Sequence, residues 1–133
     1  MKLLLAAFLA VHALIHASYL SPAPSTAGGP EWPFTFARSW LVTAFGLDPS
    51  FARVLGQALV ATTVVLLLAA ALATIGWGIP ASWWPQLVIG GAVASVVTLA
   101  LFFHPWLVLG IAIDLVLLWA VILNGWEVAG IGA

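Results

Sequence analysis

LVIGGAVASVVTLALFFHPWLVLGIAIDLVLLWAVILN, residues 87–124, is apolar almost without a break, and its reading decides the fold. A bilayer core is ~30 Å thick and takes about 20 helical residues, so this run is nearly two crossings long. One straight helix over it would be ~60 Å long and would leave the lipid. His104-Pro105-Trp106 interrupts the run near its middle. Proline removes a backbone donor and pushes the preceding residue out of helical geometry, so a tight turn between two helices is expected there.

Working toward the amino terminus, Asp48-Pro49 is a helix start, a side-chain cap followed by proline at the first helical position. The apolar run that follows reaches about Trp77 and is long enough to span with some tilt. The uncharged, breaker-rich GWGIPASWWPQ then turns the chain. The first segment, KLLLAAFLAVHALIHASYL, is apolar to about residue 20, ~27 Å as a helix and just enough to cross. A secretory signal peptide has a similar basic start and apolar stretch, but two histidines in the apolar region count against it.

The sequence therefore predicts an all-α, polytopic membrane protein. Residues 1–133 form a single four-transmembrane-helix bundle with helices near 3–20, 49–76, 83–103 and 105–124. Between the first two helices, residues 21–33 form a Pro/Gly/Ser connector. A short interfacial helix is expected over 33–46, with Thr35, Arg38, Ser39 and Thr43 on one face, Phe34, Leu41, Ala44 and Phe45 on another, and Gly46 as its stop. With this layout Trp32, Trp40 and Trp106 lie toward one membrane face. Trp77, Trp83, Trp84 and Trp126 lie toward the other, and Trp119 sits deeper. An even span number puts both termini on one side. The signal-anchor look of the start makes that side cytoplasmic, although Arg38 and Arg53 are nearly balanced by Glu31 and Asp48 in positive-inside counting.

Composition agrees. The 133 residues are 65% hydrophobic and 5% charged, too few charges to cover a water-facing surface. A formal net charge of −1 with three Lys or Arg leaves no basic patch for nucleic acid. The absence of cysteine excludes disulfides, zinc–thiolate sites, iron–sulfur clusters and c-type haem attachment. Ser18, Ser39 and Ser95 are not in a GxSxG turn, and no phosphate-binding loop is present, so the sequence leans away from an enzyme unless a cofactor is held. The four-span layout is similar to that of small multidrug transporters. Those, however, carry a glutamate within helix one, where this chain has His12 and His16.

Those histidines carry the chemistry. His12, His16 and Tyr19 share one helical stripe. Counted from the face where helix one ends, His16 is ~6 Å deep, His12 and Gln57 ~12 Å, Asp114 ~14 Å and Thr98 ~8 Å. Gly91, Ser95 and Thr98 form a small, weakly polar stripe on helix three. An aspartate at mid-helix costs about 2.5–3.5 kcal/mol to insert and is expected to face inward toward a partner. His12 has the matching depth.

Three roles fit. The first is a non-catalytic subunit or homo-oligomeric assembly component, alone or in a larger membrane complex, whose buried His/Asp/Gln cluster pairs the helices. The second is a transition-metal or haem b site built from His12, His16, His104 and Asp114, with Arg38 and Arg53 as the nearest cations for haem propionates. The third is proton-linked transport by an oligomer through a pocket of His12, His16, Gln57 and Asp114.

Overall fold

The computed structural model describes residues 1–22 and 32–131, so the Pro/Gly/Ser connector expected at 21–33 lies mostly outside the described residues, as does Glu31. Five α-helices account for most of the rest: α1 (Lys2–Ser18), α2 (Trp40–Phe45), α3 (Pro49–Ile75), α4 (Trp84–Leu101) and α5 (Val108–Leu118), with no strand among the described residues. Single 3-10 turns lead into α4 (Ala81–Trp83) and α5 (Pro105–Leu107), and a π turn (Trp119–Leu123) ends α5.

Local chemistry sets these bounds. The Asp48 carboxylate accepts from the Ser50 and Phe51 amides at 2.8 and 3.1 Å, with Pro49 at the first position of α3. Gly76 closes α3 in the left-handed region at φ 72°, and Trp77 N–H reaches back to the Leu72 carbonyl. The turn between α4 and α5 falls where the HPW triplet stands: His104 is extended, and its Nδ1 accepts from Trp106 N–H at 3.3 Å. α1 ends two residues earlier than expected, where Tyr19 and Leu20 switch to three-residue hydrogen bonds onto His16 and Ala17.

The helix expected over 33–46 forms only at Trp40–Phe45. Thr35 and Ser39 explain the difference. The Thr35 hydroxyl accepts from Ala37 N–H, and the Ser39 hydroxyl accepts from Leu41 N–H as the helix cap. Both side chains offer the backbone a partner outside a helix. Trp84, expected among the surface tryptophans, turns inward instead. It is 1% exposed, and its indole N–H donates to the Thr74 hydroxyl at 2.9 Å.

α1 packs along α3, α3 along α4, and α4 along α5. Leu9 and Ala13 of α1 meet Leu67, Val88 and Leu117 in one core; Phe34, Val60, Leu99 and Phe102 form a second at the other end. Met1 and Lys2 lie beside the end of α3 and Val128, and Met1 also beside Gly125–Glu127, so residues 1–2 and 125–128 share one end of the molecule with Gly76. At the opposite end the Ser39 hydroxyl and the Trp40 indole donate to the Leu101 and Ala100 carbonyls, docking the first connector on α4.

Three helical stretches are long and apolar enough to cross a membrane: Pro49–Ile75, Ala81–Leu101 and Pro105–Leu123. α1 is apolar but shorter, at 17 residues. Large apolar side chains such as Leu3, Val65, Leu109 and Leu123 point outward at 76, 63, 71 and 74% exposure, a surface suited to lipid rather than water. The chain is built as a membrane protein is built.

Candidate functional site: a buried His–Asp–Ser–His chain

His12 and His16 occupy successive turns of α1 on its inward face and are 4% and 1% exposed. Asp114 of α5 and Ser95 of α4 are completely enclosed. His12 Nε2 lies 2.8 Å from Asp114 Oδ1. The Ser95 hydroxyl donates to Asp114 Oδ2, and His16 Nε2 is 2.9 Å from the same hydroxyl oxygen. Four side chains from three helices form one continuous chain: His12, Asp114, Ser95, His16.

Proton counting fixes the roles. A serine hydroxyl has one proton, and Ser95 gives it to Asp114, so His16 must donate from Nε2 to the Ser95 oxygen. His12 likewise donates from Nε2 to the carboxylate. Asp114 thereby receives a donor on each oxygen, the pairing that an enclosed carboxyl group requires. One group is left over. His16 Nδ1 is buried and has no hydrogen-bond partner among the described residues. An enclosed, unsatisfied polar atom costs about 1–3 kcal/mol, so this nitrogen needs a reason to be where it is.

Aromatic rings extend the chain toward one end of the molecule. The His12 and His16 rings meet edge to face at 5.0 Å, His16 meets Tyr19 at 5.2 Å, and Tyr19 stacks on Phe34 at 4.2 Å. Tyr19 also lines a groove of ≈ 290 Å³ with Phe34, Arg53 and Gln57. It therefore stands between the buried cluster and the surface.

The expected site residues separate into two groups. His12, His16 and Asp114 come together, with one ligand-type atom from each within 4.8 Å of the others. Gln57 does not join them: its side chain is exposed, in the groove with Arg53 and Tyr19. His104 is half-buried at the α4–α5 turn, where it caps its own backbone. Thr98 is buried, but its hydroxyl donates its proton to the Ala94 carbonyl at 2.7 Å rather than to the cluster.

Ser95 is the member the sequence reading undervalued, as part of a small-residue stripe. The signal was present. Ser95 lies nine residues before His104 and Asp114 nine after Pro105, so a hairpin turning between His104 and Pro105 brings them level.

Compared with protein-family models, curated proteins and solved structures, the chain matches none. The functional reading rests on the geometry of this cluster.

Proposed function

We propose that the chain is a small four-span membrane protein with both termini on the cytoplasmic side, acting as a non-catalytic subunit or assembly component. In this reading its buried polar chain holds the bundle in register. The observation that carries it is the route of the contacts. The backbone of α1 packs most closely along α3, yet its two histidines reach across the centre to α4 and α5. An apolar contact would give that crossing no particular register, because lipid tails and leucine side chains are equally apolar. A His–Asp pair 2.8 Å apart does. The bilayer covers the exposed apolar faces, and a second copy or a larger complex docks within it.

The test is a double-mutant cycle on bundle stability in mixed micelles, using His12→Ala, Asp114→Ala and the double variant. A coupling of about 0.6–2 kcal/mol is expected for a hydrogen bond between membrane helices. Additive effects would remove the register role. Cross-linking of the wild-type chain in mild detergent reads the oligomer in the same preparation.

A further inference from the structure

The unused nitrogen of His16 calls for something that the helix-pairing role leaves unexplained. We infer that His12, His16 and Asp114 form a binding site for one divalent first-row transition ion, with Ser95 as the residue that positions the carboxylate. This goes beyond the helix-pairing role, since an ion held by His12 and Asp114 would replace the direct hydrogen bond between them.

The donor set comes first. Two imidazoles one helical turn apart and one carboxylate give two nitrogens and one oxygen, a shell suited to zinc and its neighbours. Such a shell leaves the fourth position of a tetrahedral ion for a hydroxyl or water.

Spacing comes next. Metal–ligand bonds of about 2.0–2.2 Å place neighbouring ligand atoms of a tetrahedral site roughly 3.3 Å apart. His12 Nε2 and Asp114 Oδ1 are 2.8 Å apart, and no pair among the three ligand-type atoms exceeds 4.8 Å. Side-chain rotations would bring one ligand atom from each residue to that spacing.

Burial then separates this cluster from a chance grouping of polar surface residues. All three side chains are at least 95% enclosed, and His16 Nδ1 has no hydrogen-bond partner among the described residues. Ser95 holds Asp114 Oδ2 from behind, leaving Oδ1 turned toward His12. That is the outer-shell support a ligating carboxylate requires. A single ion fits this arrangement better than a porphyrin. His12 and His16 sit on the same face of one helix, and the third histidine caps a turn outside the cluster.

The test uses the full-length chain in mild detergent, with any histidine tag removed and metal stripped by chelator. Cobalt(II) is titrated in and followed by its visible d–d absorption, then displaced by zinc(II). One equivalent of cobalt with intensified bands of a four-coordinate site is expected, lost in His12→Ala and His16→Ala. Those two variants also remove a helix contact, so two gentler ones accompany them. Asp114→Asn keeps the shape and loses the anionic ligand. Ser95→Ala leaves all three ligands and is expected to weaken binding about 10- to 100-fold, as loss of an outer-shell partner does. His104→Ala should bind as the wild type does. The inference is overturned if the wild type takes up no stoichiometric cobalt. Full affinity in Asp114→Asn and Ser95→Ala, or binding that follows His104, overturns it equally.

Discussion

Asp114 shows how much a single side chain can decide in a chain with so few charges. It lies within an apolar helix, and both of its oxygens are met by donors from other helices. Its importance was legible because a mid-helix aspartate is costly in lipid and must find partners. His12 was legible as the partner by depth alone. Gln57 was misplaced because depth says nothing about direction: lipid and protein interior are both apolar, so α3 carries no amphipathic pattern to show which way position 57 points.

The other informative aspartate is outside the cluster. Asp48 is held below the usual carboxylate range by the Phe51 amide first, and then by the Ser50 hydroxyl and amide. A folded-state value depressed in this way adds stability that is complete above the ordinary value of 3.8 and is lost as pH falls through the lower folded value. Asp48→Asn keeps a capping side chain that does not titrate. The stability difference between wild type and Asp48→Asn should stay flat from neutral pH to about 5, then change in favour of the variant as acid protonates Asp48. Unfolding curves across that range check it, and a difference independent of pH would remove the cap's charge from the account.

At the scale of the helix, punctuation rather than periodicity made the elements readable. Asp48-Pro49, Gly76 and His104-Pro105 each act on the backbone, and each stands where a helix begins or ends. The π turn at Trp119–Leu123 had no such mark. It forms where Asn124 N–H and its side-chain amide both reach the Trp119 carbonyl, a choice among nearly equal hydrogen-bond partners.

Glycine at the contacts between elements is a further constraint, and Gly56 is the tightest case. A Cβ there would come within 2.6–2.7 Å of the Phe102 and Phe36 rings. Those rings pack on one another and on Phe34, so one cannot move without the rest. Gly56→Ala is therefore expected to destabilise the bundle by about 1–3 kcal/mol through overpacking, despite alanine's better helix propensity. Thermal unfolding in detergent measures it. A variant as stable as the wild type would mean that the aromatic group can yield.

For the whole molecule, the length of α1 sets the topology. At 17 residues it is about 26 Å long, against a hydrocarbon core of ~30 Å, whereas α3 at 27 residues is about 40 Å. A short span is tolerated by local thinning of the bilayer or by association, at a modest cost. Two features favour crossing. α1 packs along α3, and its histidines lie level with Asp114 inside the bundle rather than at its edge. The chain contains no cysteine, so single-cysteine labelling can answer the question without background. Lys2→Cys, Ser82→Cys and Glu127→Cys should all react with an impermeant thiol reagent from the cytoplasmic side, and Thr43→Cys only from the other. Ser82 and Glu127 test the α4–α5 hairpin, while Lys2 and Thr43 differ by α1 alone. If Lys2→Cys labels together with Thr43→Cys while Ser82→Cys and Glu127→Cys stay opposite, the bundle has three spans. That outcome would overturn the packing of α1 along α3 with Lys2 beside Gly76.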